Sequence, residues 1–192
     1  MCEILKNLSY FYDEIPENIF WSYGIYDLTL ERIASSIPKL KLIEGLPSQQ
    51  FLEDNCSDSH NILVIDDLML KLKENYKFTV NLASRFARHR KLSIFSISQN
   101  MYELPRSFNV NVSNILLTYP GKDKVSLRTL SAQLYPKKNS VLLKIWSDIV
   151  KNSTSGFPYV LINCTNNVDK HNKILTDIFE HQDTISYIIE DE

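Results

Sequence analysis

Asp66 and Asp67 follow four apolar residues, Ile62-Leu63-Val64-Ile65, and this is the place in the chain where residue type and spacing most directly offer chemistry. Two carboxylates at the point where a buried strand leaves a sheet suit a hard divalent cation. The first acid is held rigidly toward the metal, and the second can orient or deprotonate water. The same pair also suits a metal-dependent phosphatase or nuclease, and a strand-end Asp can simply cap the next helix or face solvent. The next strong apolar run, Leu92 to Ile97, leads into Ser98-Gln99-Asn100 rather than into further acids, which counts against the phosphatase or nuclease arrangement. If the two runs are parallel strands, Gln99 lies at the same sheet edge as Asp66. An amide there can sense a terminal phosphate or orient the attacking water; the alternative is an amide that satisfies loop backbone.

Arg106, in Leu104-Pro105-Arg106, falls on an expected loop beyond that strand, where a neighbouring subunit can receive it. An arginine delivered in trans stabilises charge developing on a transferred phosphoryl group, whereas most loop arginines are solvated. Arg85, Arg88, His89, Arg90 and Lys91 form the one dense basic run. Its plain role is to favour a helix C-terminus. The aromatic N-terminal part, Tyr10, Phe11, Tyr12, Phe20, Trp21 and Tyr23, has little interleaved basic charge and reads as core rather than as a base-stacking surface.

The elements that must position these groups are read from apolar runs. Ile19–Tyr23, Ile62–Ile65, Leu92–Ile97, Ile115–Tyr119 and Tyr159–Ile162 are short, β-branched or aromatic, and bounded by polar residues, so they read as strands. Several are apolar throughout rather than alternating, as expected of parallel strands covered on both faces. Helical character falls on Leu28–Ser36, Tyr76–His89, Lys124–Gln133, Ser140–Lys151 and His171–Phe179, and the polar stretch Ser48–His60 reads as a loop. Alternating strands and helices predict an α/β fold whose ligands sit beyond the carboxyl ends of the strands. The expected organisation is one domain over residues 1–181 followed by an acidic, frayed tail, 182–192.

Composition bounds the partners. With 21 basic and 23 acidic residues in 192, the net charge of −2 gives no global attraction to nucleic acid or to an anionic membrane, so any such contact must be local. Only four glycines are present, which disfavours glycine-rich loops. Cys2, Cys56 and Cys164 form no CxxC pair and no zinc spacing, and a reducing intracellular compartment, nuclear, cytoplasmic or virion-associated, fits them best. No leader-like apolar region opens the chain and no run approaches a membrane span, so the expectation is an unsecreted protein without a membrane partner.

Taken together, Ile62–Met69, Phe86-Ala87-Arg88-His89-Arg90 and Ile97-Ser98-Gln99-Asn100-Met101 resemble the packaging ATPases of Maverick/Polinton elements and related DNA viruses, in the FtsK/HerA branch of P-loop ATPases. The likeness continues through Arg106–Asn111, Ile115–Leu117 and on to Asp123, then Ala132–Pro136, Pro158–Ile162 and Ile178-Phe179, with Phe20–Gly24 and Ile43–Pro47 upstream. It spans about Leu5 to Phe179. It implies an α/β fold with a layered, mostly parallel sheet flanked by helices, like an ASCE P-loop NTPase. The Walker B strand should end at Asp66 and lie beside the strand that ends at Gln99. It also implies magnesium at Asp66, water activation at Asp67, Gln99 and Arg106 as catalytic groups, ATP as cofactor, and a ring of like subunits moving double-stranded DNA into a capsid, with a capsid or portal protein as a further partner.

The departures are specific. G-x-x-x-x-G-K-[ST] is absent: Gly24, Gly45, Gly121 and Gly156 provide no amide cradle and no lysine for phosphates. Asn163 stands where the family often has an acid, and of its paired histidines only His89 remains. The opening Met1–Leu8 resembles the end of the helix after the P-loop, so the expectation is an N-terminally incomplete domain lacking the P-loop strand. Stand-alone ATP hydrolysis is then not expected, and the sheet should close imperfectly or leave an aggregation-prone edge. The other reading of the same departures is a degenerate assembly or binding protein that keeps the motor fold without catalysis.

Overall fold

The computed structural model describes residues 1–56, 58–118, 124–153, 156–179 and 183–190. Contacts group the chain into two compact units, 1–111 and 112–192, a division that the apolar runs alone do not disclose.

The first unit runs α1 (Cys2–Lys6), α2 (Leu8–Phe11), β1 (Asn18–Tyr23), α3 (Leu28–Ser36), β2 (Leu40–Glu44), α4 (Gln49–Asn55), β3 (Asn61–Asp66), α5 (Met69–Glu74), α6 (Tyr76–Asn81), a π turn (Leu82–Phe86), α7 (Ala87–His89), β4 (Leu92–Ile97), a 3-10 turn (Met101–Glu103) and α8 (Arg106–Asn109). Its four strands form one parallel sheet in the order β2-β1-β3-β4. Side chains alternate across it. Ile19, Trp21, Ile62 and Val64 meet Leu5, Leu30 and Ile37 on one face, while Phe20, Leu63 and Ile65 meet Leu52, Leu72, Leu82, Phe86 and Phe108 on the other. Helices therefore cover both faces. That explains why β3 reads as an unbroken apolar run: Ile62, Leu63 and Val64 are 0% exposed and Ile65 1%.

Several expectations for this unit are corrected. The stretch Ser48–His60 is not all loop, because Ser48 Oγ caps the Phe51 N–H at 3.0 Å and α4 follows. Its polar residues form the exposed helix surface, with Gln49 and Gln50 donating to Glu53 and Asp54, while Leu52 alone is fully buried. The segment Tyr76–His89 is helical but widened by the π turn. The strand β2 was not expected at all; Lys41 and Glu44 interrupt its apolar pattern because it is an edge.

In the second unit, β5 (Asn114–Thr118), α9 (Lys124–Leu134), α10 (Val141–Asn152), β6 (Tyr159–Asn163), a 3-10 turn (Lys170–Asn172), β7 (Ile174–Thr176) and β8 (Ile185–Ser186) give an antiparallel sheet of order β5-β6-β7-β8. The expected parallel arrangement of these strands is wrong. Two helices in succession separate β5 from β6, an even number of passes that returns the chain in the opposite direction. The expected helix His171–Phe179 is instead a turn and a strand: Ile174 and Thr176 are buried and Leu175 is not, a period of two. Thr176 Oγ1 donates to the Tyr159 carbonyl at 2.7 Å. The tail is not wholly frayed, since β8 pairs with β7 and Tyr187 N donates to the Ile174 carbonyl at 2.9 Å. Tyr119, Gly121 and Asp123, and both ends of the tail, lie outside the described residues.

No helix among the described residues is long and apolar enough to cross a membrane. All three cysteines are free thiols.

The two edges of the parallel sheet differ chemically. The β2 edge carries Lys41 and Glu44, with Lys39 just before it, whereas β4 presents Leu92-Ser93-Ile94-Phe95-Ser96-Ile97 with no charge and no proline, and has one paired neighbour among the described residues. Charged residues are the usual protection of an edge. Ser96→Lys is therefore expected to lower concentration-dependent association of the chain, measured by light scattering, at unchanged far-UV circular dichroism. Unaltered association would show that this edge is not the adhesive one.

Candidate functional site

The register of the parallel sheet puts the carboxyl ends of three strands level. Asp66 lies opposite Tyr23 on one side and opposite Ile97 on the other. Ser98 and Gln99 thus begin at the level of Asp66 and Asp67, on the neighbouring strand and at the same edge. The backbone then turns sharply: Asp67 adopts φ 51°, a left-handed conformation that Asp tolerates better than most side chains, and its N–H donates to the Ile97 carbonyl at 3.2 Å. That bond carries the β3–β4 pairing one residue past the strand. Leu68, buried directly after it, anchors the turn before α5 starts.

Asp66 continues the alternation of Ile62 and Val64, so its side chain belongs to the face that holds Trp21. Trp21 Nε1 donates to Asp66 Oδ2 at 3.1 Å. Partial burial raises the carboxyl pKa above its ordinary value; the indole hydrogen bond opposes this by stabilising the anion, while Asp67 and then Asp27 raise it further by repulsion. Asp27 is the N-cap of α3, where its Oδ1 accepts from the Leu30 N–H at 2.8 Å. Asp67 is exposed. The arrangement is one half-buried carboxyl group whose pKa is raised and one open carboxylate on a fixed backbone, beside a strand-end amide.

Gln99 is exposed at this edge, while its neighbours are committed to structure. Ser98 Oγ donates to Met69 Sδ at 3.0 Å and accepts from Asn100 N at 3.1 Å, and Asn100 Oδ1 caps the following 3-10 turn through Tyr102 N at 3.0 Å. The loop-satisfying role thus falls to Ser98 and Asn100 and leaves Gln99 to face outward. Arg106 is not on a loop: it opens α8 directly after Pro105, the N-cap of that helix, and it is exposed. Phe108 of α8 packs on the face of the sheet opposite to Trp21, and among the described residues no hydrogen bond or ion pair joins Arg106 to Asp66, Asp67 or Gln99. The strand register brings Asp66, Asp67 and Gln99 to one sheet edge, and among the described residues no contact ties Arg106 to that edge.

The basic run sits at the other end of the strands. Lys91 immediately precedes β4, and its carbonyl accepts from Asn61 N at 2.9 Å at the start of β3. Six residues of β4 separate it from the Gln99 edge, about 20 Å of extended chain. These arginines therefore cannot serve phosphates held at Asp66 within one subunit.

The donor set fits magnesium and ATP in part. Asp66 and Asp67 are suitable oxygen ligands, but no group of three or more His, Cys, Asp or Glu side chains converges among the described residues. Nothing at this edge cradles a triphosphate. Gly45, φ 73°, is a glycine in the left-handed region near it, and it is used in a turn: its N–H donates to the Tyr23 carbonyl at 2.8 Å, its carbonyl accepts from Ser22 Oγ, and an added Cβ would lie 3.2 Å from Lys71 Nζ. A nucleotide bound here on the chain's own residues would lack most of its phosphate contacts.

Sequence reasoning missed Trp21 and Asp27. Trp21 reads as core from sequence, yet a buried indole N–H requires an acceptor, and the end of the neighbouring strand β3, two residues beyond its register partner Val64, supplies one in Asp66. Asp27, preceding Leu28–Ser36, was legible as a helix cap but not as a neighbour of Asp66. No protein-family model matches the chain, and neither curated proteins nor solved structures yield a match.

A raised folded pKa means that the native state binds the Asp66 proton more tightly than the unfolded chain does. The resulting stability is present at low pH and is lost as pH rises from the ordinary Asp range through the folded pKa. Asp66→Asn, which keeps an acceptor for Trp21, is expected to remove that loss and flatten the acid-side stability profile, measured by denaturant unfolding in metal-free buffer. Trp21→Phe is expected to raise the Asp66 carboxyl titration further, read by carbon-detected NMR; a downward shift would show that the indole does not stabilise the anion.

Proposed function

We propose that this chain is the portion of an ATP-driven double-stranded DNA packaging or translocation subunit that carries the metal-side acid and the strand-end amide, and that it does not hydrolyse ATP alone. What supports the reading is one juxtaposition: Asp66 ends a fully buried parallel strand in register with the strand that leads into Gln99. The ordered sequence resemblance across Leu5–Phe179 adds the family. Asp66 would hold magnesium, whose bound charge supplies stabilisation of phosphoryl oxygens. Asp67 would accept a proton from water or orient it, and Gln99 would position the same water. Arg106, exposed and joined to none of these groups by a hydrogen bond or ion pair among the described residues, would act on a neighbouring subunit's site.

One observation favours the non-enzymatic assembly reading. The Asp66 carboxylate is engaged by Trp21 and pushed toward its protonated form, which weakens a metal ligand. A phosphatase or nuclease has less support: Asp27, beyond the end of β1, acts on Asp66 by repulsion, yet no group of three or more His, Cys, Asp or Glu side chains converges among the described residues.

The test has two arms. The isolated chain with magnesium and ATP is expected to show no turnover. Where in-frame sequence upstream of Met1 encodes G-x-x-x-x-G-K-[ST], the product that includes it should hydrolyse ATP in a duplex-stimulated manner. In that product, Asp67→Asn should lower kcat by about 10²- to 10⁴-fold. Arg106→Ala should lower it only when subunits are assembled, which mixing with wild-type subunits detects. A transcript without the glycine string, together with an inert chain, would establish the assembly reading instead.

A further inference from the structure

We infer that the exposed helix face bearing Arg85, Arg88 and His89 is a contact surface for a nucleic-acid phosphate backbone, separate from the Asp66 edge. Residues 75–102 hold Lys77, Arg85, Arg88, Arg90 and Lys91 and not one Asp or Glu, in a chain whose net charge is −2. The charge is therefore segregated rather than interspersed, and it creates a local positive field that the whole protein lacks.

Packing decides which of these groups are presented. Leu82 and Phe86 are buried, so the helical segment turns Arg85, Arg88 and His89 outward together, at spacings of three and four residues. Groups so spaced are about 5–6 Å apart on a helix surface, close enough to meet successive phosphates. The π turn over Leu82–Phe86 sits directly beneath them, and such turns are common at functional sites. Arg85 and Arg88 have no carboxylate partner among the described residues. Lys91 is partly neutralised by Glu14 at 3.8 Å, and Arg90 is half-buried toward Cys56, so these two are peripheral.

The kind of partner follows from what this face lacks. Tyr76, at the far end of this helical segment, is its one large exposed hydrophobic residue, and none falls between 77 and 109, so Arg85, Arg88 and His89 surround no apolar centre of the kind on which protein interfaces are built. Arginine forks without apolar neighbours match phosphate oxygens, contacts that position a backbone without reading its sequence. That the backbone is duplex DNA rests on the motor reading; that it is a phosphate backbone rests on charge and exposure alone.

The full chain is titrated against a labelled 30-base-pair duplex, the corresponding single strand and poly-glutamate, by fluorescence anisotropy across a salt series. Duplex binding is expected to weaken linearly in log salt. In R85Q/R88Q the slope should fall by about 1 for each arginine and affinity by about 10-fold, with far-UV circular dichroism unchanged. K144Q/K151Q, on α10, should leave both unaltered. Duplex preferred over single strand supports the motor reading as well; equal binding keeps the surface and removes that reading's choice of partner. An unchanged slope in R85Q/R88Q, an equal loss in K144Q/K151Q, or poly-glutamate bound as tightly as duplex would overturn the proposal.

Discussion

Burial of β3 on both faces, by strands on both sides and helices above and below, is the constraint on which the first unit depends. Four consecutive side chains there have essentially no contact with water, so the strand can neither slip nor rotate without exposing one face or the other. At its start, Asn61 is buried and fixed by hydrogen bonds to the Ser59 carbonyl at 2.7 Å, the Arg90 carbonyl at 3.1 Å and Asn18 Nδ2 at 3.1 Å. At its end, Asp67 N is tied to Ile97. A strand pinned at both ends delivers Asp66 to one place.

That rigidity has electrical consequences. A carboxylate held at the rim of an apolar core is partly desolvated whether or not a cation is present, and repulsion from Asp67 and Asp27 adds to the cost of ionising it. Trp21 offsets part of that cost. The same fixed position would give a metal ligand with little entropy left to lose, and it gives a structural carboxylate a reason to stay protonated. The two functional readings differ in which of these consequences is used.

Separation along the strands sorts the remaining polar groups. Asp66, Asp67 and the Gln99 amide stand at the carboxyl end, Arg90 and Lys91 at the amino end, and β3 between them is apolar. The Asp66 and Asp67 carboxylates are thereby kept about a strand length, roughly 20 Å, from Arg90 and Lys91, beyond the screening length at physiological salt. Each end can therefore act on a phosphate-bearing ligand without cancelling the other.

The apolar runs 62–65 and 92–97 were enough to read strands, and two acids after one with an amide after the other were enough to read a shared edge if the strands are parallel, because side-chain period follows from local sequence. Less local facts escaped. Ser48–Asn55 looks like loop until Leu52 finds a core to enter, and β2 looks polar until it is seen to be an edge. Ile174–Thr176 shows its period of two only beside β6, and the strands after Asn111 run antiparallel because two helices, not one, intervene. Trp21 and Asp27 joined the site through pairing between strands 45 residues apart in the case of Trp21 and Asp66. Local sequence determined the five apolar runs that became β1, β3, β4, β5 and β6 and where charge is placed along them. Tertiary structure decided which face each segment covers, which neighbour each donor meets and how readily Asp66 gives up its proton, since burial and partner choice are properties of contacts distant in the chain.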